Sequence, residues 1–456
     1  MDQSQLPVQS PGIEATPGSP PCPAAHAALI PLPSEPEWKY YDVTPPAESP
    51  ANPLEGSPAN SSPPPDPLVA VIGVGYVGEH LVDVFSRRFH VTGFDVSESR
   101  VKDLTAKYTD NMRVEITSDP LQLSKATHFL ISVPTLLLPD KSVDTSYLRS
   151  ALTTVGKHAT RGSTIVFESS VAVGMTRKLL GPLAASQGWY AGMSPERVDP
   201  GRTEPAAYDI AKVISGLDDV VPGSLAAIHK LYSAAFNKVI TVSQPEVAEM
   251  TKLYENCQRM VNISFANEMA NACLPFKIDP YEVCRAAATK PFGYMPYAPG
   301  LGVGGHCIPV NPYYLLSTSH FPLLKAASEA MYARPAEIGQ RAIDALYANP
   351  ASAAGLPRIL VVGMGFKRGQ SHLVNSPGLE LAKSLVLSEK VAVSFADPLV
   401  TQEAVPQITR LDEANWTVAY LEENFDMIIV SFKQDGLDFE ILGQLKDSVK
   451  VQMWCA

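Results

Sequence analysis

Leu68-Val-Ala-Val-Ile72, followed by Gly73-Val-Gly75-Tyr-Val-Gly78, decides the fold. Five apolar residues, three of them β-branched, predict a short buried strand. The glycines behind it have the spacing GxGxxG, which lets a tight turn feed a helix and brings backbone close to a pyrophosphate. That spacing alone is a weak signal. Here Asp95 ends the next strand-like run, Val91–Phe94, 22 positions after Gly73. A carboxylate at the end of the second strand accepts hydrogen bonds from ribose hydroxyls and repels a 2′-phosphate, so NAD is favoured over NADP.

Outward from this unit, further strand-like runs stand at His128–Val133, Thr164–Phe167 and Lys212–Ser215, with helix-compatible stretches between several of them. Strands alternating with helices predict an α/β fold with a parallel sheet. From Ser243 the period changes. Ser243-Gln-Pro-Glu246 reads as a capping box with proline in the first turn. Val247, Met250, Leu253, Tyr254, Cys257 and Val261 then recur at helical spacing, which predicts one long helix to about Asn271. A Pro/Ala/Gly-rich stretch at 349–357 precedes a second strand and glycine turn, starting at Arg358-Ile-Leu-Val-Val362.

Residues 1–66 differ in composition. Positions 7–67 hold 18 of the chain's 41 prolines, and the tail has eight acids against one base, Lys39. Such a segment buries too little to offset its ordering entropy and is predicted to be disordered. A docking role for Trp38-Lys39-Tyr40-Tyr41 is the weaker alternative to a plain linker. The net charge of −11 over 456 residues argues against a nucleic-acid binder. No apolar run approaches the roughly 18–20 residues of a membrane span, and the first residues lack a signal-peptide pattern. The six cysteines (22, 257, 273, 284, 307 and 455) form no CxxC, so neither a disulfide framework nor a metal site is signalled. A reduced, cytoplasmic protein is the expectation.

Four further features carry chemistry. Gly363-Met-Gly365-Phe-Lys367 is a second glycine turn, with Arg368 where a third glycine belongs; a ligand site and simple packing are both open. Ala298-Pro-Gly-Leu-Gly-Val-Gly-Gly-His-Cys307 puts four glycines in the six residues 300–305, just before a thiol. Such a loop admits a ligand, and a nearby lysine or helix start lowers a thiol's pKa. Lys252 and Asn256 lie one helical turn apart and share a face, which spacing alone leaves as either a site or solvated polarity. His306 adjoins Cys307, but adjacent side chains usually diverge. Cys257, Cys273 and Cys284 read as small core residues.

Taken together, these motifs resemble the UDP-glucose/GDP-mannose dehydrogenase family over roughly residues 68–450. The matching pieces are the first glycine turn, Asp95 with Arg100, Ser132-Val-Pro-Thr135, Glu168-Ser-Ser-Val171, Ser194-Pro-Glu-Arg-Val-Asp-Pro-Gly201, Lys252 with Asn256, Gly-Gly-His-Cys307, and Gly-Phe-Lys367 with Ser376-Pro377. Thr289–Tyr297 resembles the branch acting on UDP-N-acetylglucosamine or UDP-N-acetylmannosamine.

The resemblance implies two Rossmann-like doubly wound domains joined by a long central helix. It implies an NAD-binding domain at 67–240, a central helical and dimerisation domain with the cysteine loop at 241–345, and a UDP-binding domain at 355–456. It further implies four-electron oxidation of a UDP-hexose C6 alcohol to a uronate. In that scheme Cys307 is the nucleophile, Lys252 stabilises oxyanions, Asn256 holds sugar or water, Glu196 is the base for thioester hydrolysis and Ser170 positions the water. Gly73, Gly75, Tyr76, Val77, Gly78, Asp95, Arg100, Val133, Thr135 and Ser170 surround NAD. Glu196, Lys252, Asn256, Tyr297, Gly302, Gly304, Phe366 and Lys367 contact the UDP-sugar. No metal is implied, and a homodimer or larger homo-oligomer is.

Three positions depart from the family pattern. Asn311 stands where an aspartate is usual, four residues after the cysteine. Ser371, His372 and Val374 replace acids and a cofactor-contacting arginine, and the segment around Trp454 is altered. A nucleotide-sugar-binding homologue without turnover is therefore one alternative, and a two-electron 3-hydroxyacid dehydrogenase, which needs no thiol, is another.

Overall fold

The computed structural model describes residues 67–199, 204–348 and 355–455. The tail read as disordered, with Cys22 and Trp38–Tyr41, lies outside these residues.

Strand β1 (Leu68–Ile72) is buried from Val69 onward. Strands β2 (His90–Phe94), β3 (Val114–Thr117) and β4 (His128–Ile131) join it. A short antiparallel ribbon, β5 (Leu136–Leu137) and β6 (Val143–Asp144), follows. Strands β7 (Thr164–Phe167), β8 (Tyr190–Met193), β9 (Lys212–Gly216) and β10 (Val239–Thr241) complete a sheet of order β10-β9-β8-β7-β4-β1-β2-β3. All pairings are parallel except β8 with β9. The order reverses between β1 and β4, so the turn after β1 opens at the crevice where doubly wound sheets take ligands. Helices α1 (Tyr76–Phe85), α2 (Glu98–Lys107), α3 (Ser146–His158), α4 (Met175–Gln187) and α5 (Ser224–Ala235) alternate with the strands. Two apolar cores result, one around Phe129, Phe167 and Trp189, the other around Phe85 and Tyr232.

The long helix α6 spans Pro245–Cys273. The predicted capping box does not form. Gln244 occupies the cap position without a side-chain bond, and Glu246 instead accepts from Arg177 Nε at 2.6 Å. A charge-assisted bond to a guanidinium outcompetes a neutral amide of its own turn. Glu249 is buried and accepts from the backbone N–H groups of Gly174 (2.6 Å) and Thr176 (2.8 Å) at the start of α4. This pair of bonds fixes the rotation of α6, and with it the inward direction of Lys252 and Asn256, one and two turns further on. Helices α7 (Pro280–Ala287), α8 (Asn311–Leu316) and α9 (Pro322–Tyr347) complete the middle of the chain.

The second sheet, β11 (Arg358–Val362), β12 (Ala392–Ala396), β13 (Thr409–Arg410), β14 (Met427–Val430) and β15 (Lys450–Met453), is wholly parallel in the order β13-β12-β11-β14-β15. Helices α10 (Pro377–Leu387) and α11 (Val418–Asn424) belong to it. Its glycine turn also follows the strand at the reversal point. The third glycine judged missing is present, displaced. Helix α10 does not start until Pro377, and a Cβ at Gly378 would stand 2.2 Å from the Gly363 carbonyl oxygen. At Gly78 the corresponding distance to the Gly73 oxygen is 2.0 Å. The intervening loop of residues 366–376 moved the glycine out of its expected register.

Candidate active site

The two glycine turns differ in what they leave open. Gly73 has φ +85°, a conformation that favours glycine, and lies against Val133. A Cβ at Gly75 would meet nothing within 4 Å, so backbone at the start of α1 faces open space. That opening fits the pyrophosphate of NAD, with the N-terminus of α1 behind it. Asp95 accepts from the N–H of Val74 (2.8 Å) through one oxygen and of Ser97 (2.9 Å) through the other. Each oxygen keeps a lone pair for a ribose hydroxyl. Arg100 is engaged from behind, with Nε on the Val74 carbonyl at 2.8 Å and its guanidinium paired with Glu79, so it braces the turn. Thr135 donates to the Ser170 carbonyl at 2.9 Å, which ties the loops after β4 and β7 beside the turn. Tyr76 is exposed and its hydroxyl donates to the Asp199 carbonyl at 3.2 Å; Val77 is half-buried.

In the second turn a Cβ at Gly365 would fall 2.2 Å from the Gln370 carbonyl oxygen. Asp397, buried after β12, accepts from the N–H groups of Met364 (2.8 Å) and Gly365 (3.2 Å). This turn is closed by its own chain. The cysteine loop packs against it. Gly302 lies beside Pro335 and Pro377, and a Cβ at Gly304 would stand 2.8 Å from Phe366. Gly305 has φ +92° and donates to the Val374 carbonyl at 3.1 Å. The glycines therefore let the loop approach Phe366 as closely as they let it approach a ligand. Lys367 reaches Asp199 at 3.5 Å. Tyr297 is half-buried, and its carbonyl accepts from the Cys284 thiol at 3.8 Å.

Cys307 is half-buried in the turn that enters α8, its carbonyl accepting from the Asn311 N–H at 2.9 Å. The Asn311 side chain, buried, accepts from Asn256 Nδ2 at 2.5 Å. One turn back on α6, Lys252 is also buried. Burial pushes its ammonium below the usual lysine range, partly opposed by the charges of Cys307, Glu196 and Glu255. Asn311 thus links Asn256 to the Cys307 backbone, and Cys307 and Glu196 lie within electrostatic reach of Lys252. His306 is exposed and its ring faces His372 at 6.4 Å between centroids.

Glu196 belongs to a buried cluster that the sequence reading missed. Lys212 Nζ donates to Glu196 Oε2 at 2.8 Å and to Glu168 Oε2 at 2.7 Å, and the Tyr232 hydroxyl donates to Glu168. Burial raises both carboxylates, but one ammonium neutralises only one of them. For Glu196, Lys212 and the N–H groups of Val198 (2.9 Å) and Arg197 (2.6 Å) outweigh burial and hold it below the ordinary carboxylate value. Glu168, wholly buried, is pushed up to about 7 by burial and by the Glu196 charge, against the pull of Lys212. The two amides saturate Glu196 Oε1 and Lys212 takes one side of Oε2. One lone pair is left for a water or hydroxyl.

Among the described residues no group of three or more His, Cys, Asp or Glu side chains is arranged to hold a metal ion, and no helix is long and apolar enough to cross a membrane. Cys257 and Cys273 are buried and Cys284 half-buried.

Comparison with known proteins shows the family. Residues 68–236 match the NAD binding domain, and residues 246–330 the central domain, of the UDP-glucose/GDP-mannose dehydrogenase family. The chain is 31% identical over 366 residues to the UDP-N-acetyl-D-glucosamine 6-dehydrogenase of Pseudomonas aeruginosa, covering 74% of this chain and 84% of the relative. It is 32% identical over 359 residues to the UDP-N-acetyl-D-mannosamine dehydrogenase of Pyrococcus horikoshii, covering 73% and 84%. The solved UDP-D-ManNAc dehydrogenase from Pyrococcus horikoshii superposes with TM-score 0.73 at 25% identity, over 85% of this chain and 99% of that one. The chain belongs to the UDP-glucose/GDP-mannose dehydrogenase family of NAD-using oxidoreductases.

Proposed function

We propose that the protein oxidises the C6 alcohol of a UDP-hexose to the carboxylate in two two-electron steps, with Cys307 holding the sugar between them. The observation that carries this reading is the chain of contacts from Cys307 through Asn311 to Asn256, with Lys252 one turn away and inside the reach of the thiol's charge. NAD, one molecule per oxidation, takes up the hydride that leaves C6. The residues supply the rest. Lys252, its proton loosened by burial, takes the hydroxyl proton or steadies the alkoxide, and Asn256 orients the oxygen. The resulting aldehyde is attacked by the Cys307 sulfur, forming a C–S bond and an alcohol at C6. Loss of the second C6 hydrogen as hydride leaves a thioester. The water held by the open lone pair of Glu196 then adds to the acyl carbon, the C–S bond breaks, and the thiol is restored. The sum is one alcohol, two NAD+ and one water to one carboxylate, two NADH and three protons.

Relatives named for UDP-N-acetylglucosamine and UDP-N-acetylmannosamine support those two sugars, with UDP-glucose the third candidate. A panel of the three, followed by NADH absorbance, tests the reading; no NADH with any of them overturns it. Lys252→Ala is expected to lower kcat by about 10²–10³-fold with little change in the affinity for NAD, because one oxyanion partner in a dry site contributes that much. The second reading, binding without turnover, is favoured by Asn311. The acceptor role of Asn311 toward Asn256 is one that aspartate fills equally, so Asn311→Asp is expected to change kcat by less than about tenfold. A silent wild type and an active Asn311→Asp variant would establish the second reading instead. The exposed Tyr254, Phe265 and Met269 on α6 support a homodimer, which light scattering checks.

A further inference from the structure

Beside the first residues of the cysteine loop lies a group of donors that the proposed chemistry does not use. Arg334, on α9, is 2% exposed. Its Nε donates to the Gly300 carbonyl at 2.9 Å, and its Nη1 to Asn271 Oδ1 at 3.2 Å. Arg341, two turns further on, donates through Nη1 to that same Asn271 oxygen at 3.3 Å. The two guanidinium carbons stand 5.2 and 5.6 Å from the Trp454 ring centroid. Two cations therefore share one neutral acceptor, Asn271 Oδ1, and one aromatic ring. Neither forms an ion pair with any described residue. The Nη2 atoms of both arginines and the Nε1 of Trp454 are buried without a hydrogen-bond partner.

Burying a guanidinium is costly unless an anion meets it, and leaving three buried donors unmet adds to the cost. Burial, then the repulsion of Arg341, push the Arg334 guanidinium down to about 10, against the weaker pull of the Glu337 and Glu268 charges. The location points to the anion's nature. Trp454 directly follows β15, at the carboxyl ends of a doubly wound sheet, and its backbone N–H donates to the Val430 carbonyl at the end of β14. Gly300 begins the loop that ends at Cys307, and Pro335, next to Arg334, packs on Gly302 of that loop.

We propose that Arg334, Arg341 and Trp454 form an oxyanion site that receives a phosphate group, with the Nη2 atoms and the indole N–H as its donors. The inference deepens the nucleotide-sugar reading and rests on it for one of the two sources of phosphate, the nucleotide diphosphate. The other source is free pyrophosphate or phosphate. Planar guanidinium forks suit phosphate oxygens, and the indole adds a single directed donor.

The test uses the full chain and calorimetric titration with UDP, uridine, pyrophosphate and NAD. Arg341→Met, at a half-buried position, and Arg341→Lys, which keeps the charge, are the variants, with thermal melts as the check on folding. Arg341→Met is expected to weaken UDP by about 10- to 100-fold, as loss of a charged hydrogen bond does, and to leave uridine and NAD unchanged. Arg341→Lys is expected to fall between it and the wild type. Weakened UDP and pyrophosphate together assign the site to the nucleotide. Weakened pyrophosphate with unchanged UDP assigns it to free phosphate. If UDP and pyrophosphate both stay within twofold of wild type in a folded variant, the site does not exist. A wild type that oxidises no nucleotide sugar but loses UDP affinity in Arg341→Met would end the proposed reaction and leave this site standing.

Discussion

Cys307→Ser is expected to abolish complete oxidation, with a loss of about 10⁴-fold or more in carboxylate formed and at most one NADH per sugar. A serine hydroxyl is far less nucleophilic than a thiol of the same position, and removal of a covalent nucleophile costs on this scale. The turn around residue 307 is held by backbone bonds from Val310 and Asn311 to its carbonyl, which the substitution leaves in place. Binding of NAD and UDP is therefore expected to be unchanged. Stopped-flow NADH absorbance with quantified uronate checks both halves of the statement; two NADH per sugar at the wild-type rate would show that the thiol is not the carrier.

Lys212→Met is expected to cost about 3–5 kcal/mol of stability and to move the acid limb of kcat to higher pH. The methionine fills the space but leaves two buried carboxylates facing each other without a cation. Glu196 then loses the ammonium that holds it ionised, so the base is protonated at a pH where the wild type still works. The neighbouring Glu168 makes the sign of the stability change separable. Its folded value of about 7 lies above the ordinary 4.5. Its protonated carboxyl therefore stabilises the fold fully below about pH 4.5, and this contribution is lost as pH rises through 7. Glu196, depressed, acts in the opposite sense: its contribution is present above 4.5 and lost as pH falls through its folded value. In Glu168→Gln the first titration disappears, so the stability of wild type relative to this variant is expected to decline between pH 4.5 and 7 by on the order of 3 kcal/mol and then stay level. Calorimetric melts of both proteins across that range measure it; parallel curves would mean that Glu168 is ionised throughout.

The cluster also shows where reading a sequence stops. The first glycine turn, Asp95 and the helix bearing Lys252 and Asn256 were legible because each signal is local, a spacing of a few residues or one strand–turn–helix unit. Glu168, Lys212 and Tyr232 come from β7, β9 and α5, and pairs 44 and 64 residues apart have no periodic signature. Lys212 reads as one more surface lysine at a strand start. Only the antiparallel pairing of β8 with β9 turns it inward toward two carboxylates. Gly378 was illegible for a different reason, since the eleven residues 366–376 separate it from the turn it closes. The capping box failed because Arg177, 69 residues away, competes for Glu246, a partnership with no local signature. Strands β3 and β8 escaped notice because Val114–Thr117 is half-exposed and Tyr190-Ala-Gly-Met193 carries little β-branched character. Arg334 and Arg341 share a face of α9, but their partnership with Asn271 and Trp454 is wholly tertiary.

The proposed reaction runs through a sugar acyl group carried by one sulfur, and Glu196→Gln isolates that species, because the thioester forms while its hydrolysis loses the base. The decisive measurement is peptide mass spectrometry of this variant, quenched in acid after mixing with NAD and the UDP-sugar that the wild type oxidises. A peptide bearing the added mass of the UDP-uronyl group on Cys307 is the predicted result. An unmodified Cys307 in a variant that has consumed NAD and sugar would contradict it.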